Sequence, residues 1–446
     1  MMTDVADKPL DLLIVNGVVL TMDADKSILT PGYVGIRGDE IEALGPYSGE
    51  AMPALKTIDA EGGIILPGLI NGHTHAAMSL FRGIADDLPL LDWLTKYIFP
   101  VEKKIDSEFV RVGSDLACAE MILSGTTTFC DMYLFEDEVA QAAKAAGMRC
   151  IVGEVLYDFP SPNYGSIENG LKYTEALIKK WLDDPLISTA VEPHSVFTCS
   201  PSLLKCAYEI AERYDVPMIL HLAETMDEVS EVRDRYGKGP VEHLLSLGLL
   251  GPRLIADHCV QIDDKDIKVL ADAGVKVVHN PESNMKLASG IAPVPGMLDA
   301  GLTVGLGTDG CASNNNLDLI AEMDTAAKLH KVALMDPTVM KAETVLLMAT
   351  RLGAKALGME PITGSLEKGK KADVIVIDIN KPHLTPMYNP YSHIVYAAMG
   401  SDVVHSVING RLVMENRVVL TMDVDRVMDA ADKKADDVRR WIGYHS

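Results

Sequence analysis

Apolar and polar positions along the chain change their period twice. From residue 10 to 62 the apolar runs are short and bounded by turn residues. Leu12-Leu13-Ile14-Val15 runs into Asn16-Gly17 and then Val18-Val19-Leu20, while Tyr33–Ile36 and Glu40–Leu44 flank Gly38-Asp39. Such runs read as short strands joined by hairpins, with Asn16-Gly17 as one of the turns. From residue 64 apolar runs of strand length alternate with amphipathic segments of helical period, the pattern of a parallel α/β sheet or barrel. Strands are predicted near 64–71, 126–132, 149–156, 187–194, 217–222, 254–259, 275–280 and 303–308. Eight βα units in one span fit a (β/α)8, TIM-like barrel. Residues 90–124 form a mostly helical insertion after the first strand, and the Pro-, Gly-, Ser- and Asn-rich residues 158–170 read as an irregular loop over the same mouth.

After a helical stretch near 337–358 the β texture returns, in Ala372–Asp378 and in Val403–Ile408, Asn409-Gly410 and Arg411–Val413. The two ends carry similar material, so one small β-sandwich built from both is expected. The predicted organisation is 1–63 (sandwich, N-terminal part), 64–364 (barrel), 365–422 (sandwich, C-terminal part) and 423–446 (terminal helix and tail).

Composition narrows the class. The 446 residues are 48% apolar, enough to bury a large core. The net charge of -24 argues against a nucleic-acid polymer or an anionic membrane as partner, but not against a small nucleoside. Seven scattered Cys without a CxxC pair suit a reducing compartment. The first residues lack a basic region followed by an apolar core, and no run of about 18 apolar residues occurs. A cytoplasmic protein without a membrane span is expected.

The candidate chemistry lies at the strand ends, where barrels of this kind hold their sites. In Asn71-Gly72-His73-Thr74-His75 the two histidines are two apart, so a strand aims both imidazoles to one side. His221 ends the fifth strand, and Glu224 follows three residues on; the two converge only if the chain bends just past the strand. The sixth strand ends at His258, the seventh at His279, and the eighth leads to Asp309 among glycines. Singly, His258 or His279 reads as a core histidine, and Asp309 as a helix cap. Together His73, His75, His221, His258 and Asp309 read as a convergent metal site. His243, His330, His383, His393, His405 and His445 fit no barrel strand end and read as structural or surface residues.

These motifs identify a resemblance. Pro67–His75, His221-Leu222-Ala223-Glu224, His279-Asn280-Pro281 through Leu287, and Gly307-Thr308-Asp309-Gly310 with Ser313-Asn314-Asn315 resemble the amidohydrolase superfamily. The likeness is to the group of 5-methylthioadenosine/S-adenosylhomocysteine deaminases and covers nearly the whole chain. It implies one divalent metal, zinc with Fe²⁺ or Mn²⁺ as alternatives, on His73, His75, His221 and Asp309. Binuclear relatives use a modified Lys at the end of strand four; residues 188–200 contain none, which implies a mononuclear site.

The resemblance further implies hydrolytic deamination of an adenine nucleoside to its inosine analogue and ammonia. Asp309 takes a proton from the attacking water, Glu224 protonates the ring nitrogen, and His258 orients the nucleophile. Glu102 matches an acid that bonds ribose hydroxyls, and His194 matches a nucleoside contact. The H-x-E…P-C-x-x-C signature of other zinc base deaminases is absent. Relatives place Arg in the loop after strand three. Residues 150–171 hold neither Lys nor Arg, leaving the 5'-substituent open among methylthioadenosine, S-adenosylhomocysteine, adenosine and 5'-deoxyadenosine. Homodimers or homotetramers are usual for such barrels. Alternatives are a guanine-type or other aminoheterocycle deaminase, an s-triazine chlorohydrolase, and a non-catalytic amidohydrolase-like scaffold, which would lack metal ligands.

Overall fold

Strands that are apolar on both faces must be covered on both, and here each is followed by chain that returns to start a parallel neighbour. The computed structural model describes residues 8–84, 86–88 and 93–443. The barrel strands are Leu69–Thr74, Thr126–Tyr133, Arg149–Leu156, Ile187–Thr189 continued by Glu192–Pro193, Met218–Leu222, Leu254–His258, Lys276–His279 and Thr303–Leu306. They pair in parallel as two arcs, strands one to four and five to eight. Backbone bonds close the arcs into a barrel. Ile219 N donates to Val191 O and His221 N to His194 O on one side, and Asp309 N to His73 O on the other, each at 3.0 Å. Asn71 clamps the second seam, donating to Thr308 Oγ1 at 2.8 Å and accepting from Thr308 N at 3.0 Å.

Two local readings change. The run expected as one strand over 64–71 is two. Ile64–Pro67 pairs antiparallel with Val374–Ile377 and in parallel with Leu10–Leu20, so it belongs to the sheet from the chain ends. Only Leu69–Thr74 enters the barrel. Gly68 makes the crossing possible, since a Cβ there would lie 2.0 Å from the Thr127 hydroxyl. Both halves are buried, so their composition carries no mark of the break. Asn16-Gly17, expected as a hairpin turn, is instead a bulge inside one strand, Leu10–Leu20. Asn16 sits at φ 61, and the kink lets the strand pair with Ala54–Asp59 before it and Ile64–Pro67 after it. Asn409-Gly410 does form a two-residue hairpin turn, with Ile408 opposite Arg411.

The end-derived strands form one nine-stranded sheet, eight in a hydrogen-bonded path and Ala54–Asp59 branching from Leu10–Leu20, around a core that includes Leu12, Ile14, Val34, Val374 and Val407. The terminal helix, Val424–Ile442, starts at an Asp423 cap and packs Trp441 against Phe109, ring centroids 5.7 Å apart. Of the insertion read over 90–124, residues 90–92 lie outside the described residues, as do residues 1–7 and His445. The rest is helical: Leu94–Ile98, Phe99–Glu102 and Ser107–Ser124. Among the described residues no helix is long and apolar enough to cross a membrane. All seven cysteines are free thiols, six of them buried.

Candidate active site

The ring nitrogens of His73, His75 and His221 converge, and so do those of His73 and His258 with an Asp309 carboxylate oxygen, each group within 4.8 Å. In each histidine Nδ1 is occupied. His73 Nδ1 lies 3.1 Å from Asp257 Oδ2, and His75 Nδ1 bonds the Met132 carbonyl. His221 Nδ1 donates to His194 O at 2.8 Å, and His258 Nδ1 meets Asn284 Oδ1 at 2.8 Å. This fixes the tautomer with Nε2 free as a lone-pair donor, the arrangement that outer partners impose on metal-ligating histidines.

The fit to a metal is direct. His73 Nε2 is buried with no hydrogen-bond partner, a costly state unless the atom has another acceptor for its lone pair. Asp309 Oδ1 lies 3.1 Å from His75 Nε2 and 3.6 Å from His73 Nε2. Its Oδ2 accepts from Ser283 Oγ at 2.6 Å and Ser313 Oγ at 2.9 Å. Burial would raise the Asp309 carboxyl, but the adjacent His73 and His75 rings, with His258 behind them, hold it well below the ordinary carboxylate range. Burial drives His221 well below its ordinary value, aided by the neighbouring histidines, so it stands as the neutral imidazole that ligates metals.

Local backbone explains the convergence. Ala223 (φ 51), His258 (φ 69) and Asp309 (φ 61) occupy the left-handed region directly at or after strand ends. The Ala223 turn supplies the bend that brings Glu224 to the same side as His221. Glu228 holds that turn, accepting from Ala223 N at 3.2 Å and Glu224 N at 2.8 Å, and burial pushes its carboxyl up to about 8. Glu224 Oε1 accepts from Ser289 Oγ at 3.1 Å.

A cavity of about 1020 Å³, counted to its open mouth, is lined by His75, His221, His258 and Asp309 at its floor. Glu102, His194 and Glu224 line it too. His73 lies beneath the floor, 1% exposed. All eight residues singled out in the sequence therefore meet at one place. His194 is driven down to about 3, by burial first and then by His75, His73 and His258, so it acts here as a neutral hydrogen-bonding ring. Its Nδ1 meets Thr198 Oγ1 at 2.9 Å and Ser195 Oγ at 3.2 Å. Burial raises Glu102 to about 7, with Tyr133 and His75 pulling the other way. His279 stands apart: its Nε2 is 3.2 Å from that of buried His330, as a core histidine.

Sequence reading gave no role to the residues that hold the histidines and Asp309 in place: Asp257, Asn284, Ser283 and Ser313. Asn284, Ser283 and Ser313 all lie within the motifs that carry the family resemblance. Asp257 precedes His258 and would face away from it on a straight strand; the positive φ at His258 reconciles the two.

The barrel with an imidazole and carboxylate cluster at the strand ends defines a metal-dependent hydrolase, and the Amidohydrolase family model matches residues 64–413. The chain belongs to this amidohydrolase family. It is 63% identical to the 5-methylthioadenosine/S-adenosylhomocysteine deaminase of Syntrophobacter fumaroxidans, over 94% of this chain and 96% of that one. It is 46% identical to the 5'-deoxyadenosine deaminase of Methanosarcina mazei, over 96% of this chain and 98% of that one. The structure of an adenosine deaminase from Xanthomonas campestris with bound zinc superposes with a TM-score of 0.95 at 38% identity, covering 97% of this chain and 99% of that one.

Proposed function

We propose that the protein hydrolytically deaminates adenine nucleosides, with 5'-methylthioadenosine and 5'-deoxyadenosine as representative substrates. The observation that carries this reading is Glu224 facing the same cavity floor as Asp309 and the Nε2 donors of His75, His221 and His258. It joins relatives named for deamination of such nucleosides.

His73, His75, His221 and Asp309 would hold one divalent ion. We take this to be zinc, from the donor set and the zinc-bound Xanthomonas relative. When bound, the ion supplies Lewis-acid chemistry that makes water acidic near neutral pH.

The remaining work falls to side chains. The adenine amino carbon, C6, sits over Asp309, with the ring nitrogen beside it at Glu224. Asp309 removes a proton from the attacking water as its oxygen bonds to C6. Glu224 gives a proton to the ring nitrogen, removing the negative charge the attack would otherwise place there. His258 orients the water through Nε2, its other nitrogen being held by Asn284. Asp309 then delivers its proton to the amino group, the C6–N bond breaks, and ammonia leaves. Glu224 takes the proton of the C6 hydroxyl as C6=O forms, so it ends protonated again and the ring, keeping its new N–H, becomes hypoxanthine. Glu102 accepts from the ribose hydroxyls, and His194 packs against the nucleoside.

Ammonia release by the zinc-loaded protein tests this, across methylthioadenosine, 5'-deoxyadenosine, adenosine, S-adenosylhomocysteine, guanine and a chlorotriazine. Activity confined to adenine nucleosides, lowered about 10²–10⁴-fold in Glu224→Gln, is the expected result. Activity only on free bases or triazines would refute the nucleoside assignment and the role of Glu102.

A further inference from the structure

The cavity has a depth gradient in both exposure and chemistry. His221, His258 and Asp309 at its floor are 7%, 1% and 6% exposed. Phe159 at the rim is 39% exposed, and Asp227 and Glu231 are exposed as well. The wall between is apolar, Trp93, Leu94, Phe99 and Tyr157, and Phe159 continues it to the rim. The Tyr157 and Phe159 rings stack at 3.8 Å and 10°, and Phe99 stands 6.0 Å from Phe159. With C6 at the floor and the ribose beside Glu102, the 5' end of a nucleoside must cross this aromatic wall and emerge at the rim. A thioether suits such a wall, since sulfur packs well on aromatic edges.

Charge at the rim is one-sided. Of the six carboxyl side chains among the described lining residues two are exposed, Asp227 and Glu231, and that lining includes no Lys or Arg. A cation that touches this lining is Arg235, and it is tied down. Its guanidinium donates to Phe197 O at 2.7 Å, pairs with Glu231 and lies 5.8 Å over the Tyr236 ring. Glu231 therefore both contributes a carboxylate to the rim and neutralises that cation. Asp227, one turn earlier on the helix Met226–Tyr236, adds a second carboxylate.

We propose that Asp227 and Glu231 select the 5'-substituent by charge. Neutral 5'-thioethers and those ending in an alkylammonium are taken, and those ending in a carboxylate are disfavoured. 5'-Thioadenosines bearing an aminoalkyl chain are thus a further substrate class of this protein. The proposal rests on the nucleoside reading above, and deepens it.

The test compares four 5'-thioadenosines that differ only at the chain end: methyl, 3-aminopropyl, 2-carboxyethyl and the zwitterionic homocysteine chain. The full-length zinc-loaded enzyme is used at low salt. The aminopropyl compound is expected to match or exceed the methyl one in kcat/KM. The carboxyethyl compound should fall about 10- to 100-fold below the aminopropyl, with the zwitterion between. Raising NaCl to about 0.5 M should compress that spread several-fold, as rim charges are screened. Glu231→Gln should shift the carboxyethyl-to-aminopropyl ratio about tenfold toward the anion, by releasing Arg235. Adding Arg235→Gln should reverse most of that shift. Equal kcat/KM for anion and cation, or a ratio unmoved in Glu231→Gln, overturns the proposal. Calorimetric binding of the same compounds separates it from the reading beneath it. Ordered binding without ammonia release sustains charge selection and refutes deamination; unordered binding refutes selection whatever the turnover.

Discussion

At the scale of single residues, the site is assembled from conformations and charges that the fold holds at a cost. Ala223, His258 and Asp309 each take a left-handed backbone that a residue with a side chain avoids, worth on the order of 1–3 kcal/mol apiece. Glu102 adds an electrostatic cost. Burial lifts its carboxyl from 4.5 to about 7. Between those values the folded protein keeps a proton that the unfolded chain has released. Its favourable contribution is therefore full below about pH 4.5 and is lost as pH rises through 7. Glu102→Gln should match the parent in stability at pH 5 and exceed it at pH 8.5 by about 2–3 kcal/mol, compared through urea midpoints at the two pH values. A variant no more stable than the parent at pH 8.5 would show that the carboxyl is not strained there. At pH 8.5 the parent thus carries a half-buried, desolvated carboxylate at a cost in stability, the trade expected if the ribose contact proposed for Glu102 is its use.

At the scale of elements, each histidine of the cluster is positioned by a residue from outside the strand that carries it. His73 on strand one is steadied by Asp257 of strand six, His75 by Met132 of strand two, and His221 by His194 after strand four. The precision of the cluster is therefore a property of strand register. Asp257→Asn should lower zinc affinity about 10- to 100-fold, measured by competition with a chelator, while circular dichroism stays unchanged. Stripping the metal should lower the thermal midpoint, and stoichiometric zinc should restore it, because the proposed ligands, from strand one on one arc and strands five and eight on the other, would tie the two arcs together. A midpoint indifferent to chelation would speak against a bound ion.

The same contrast explains what the chain revealed on its own. His73 and His75 were legible because the period of a strand is local. The bend at Ala223 was legible because His221 and Glu224 needed one. Asp257 was not, because its meaning lies in facing His73 across the barrel. Ile64–Pro67 and Asn16-Gly17 were misread for a related reason. A buried strand and a bulge look locally like a barrel strand and a hairpin turn, and only distant partners, Val374–Ile377 and Ala54–Asp59, decide between them.

At the scale of the whole molecule, barrel and end-derived sheet are locked by one buried ion pair. Arg149 starts strand three, at the end of the barrel away from the site, and its guanidinium donates to Asp373 at 3.0 and 3.2 Å. Their side chains are 4% and 0% exposed. Arg149 also bonds Asn409 Oδ1 and Pro185 O, and Asp373 accepts from Asn409 N at 2.7 Å. The network joins barrel strand three to the start of the strand Val374–Ile377 and to the Asn409-Gly410 turn. Removing one partner leaves the other charge buried and unpaired, so Asp373→Ala should cost about 3–5 kcal/mol in chemical denaturation. Replacing both, as Arg149→Met with Asp373→Leu, should recover much of that loss, because an apolar pair strands no charge. Since the pair lies at the barrel end associated with stability and not chemistry, both variants should keep the parent kcat/KM below their unfolding transitions. A fall in kcat/KM in the double variant, with its stability recovered, would mean that docking of the end-derived sheet sets strand register through to the opposite face, where the histidines depend on it.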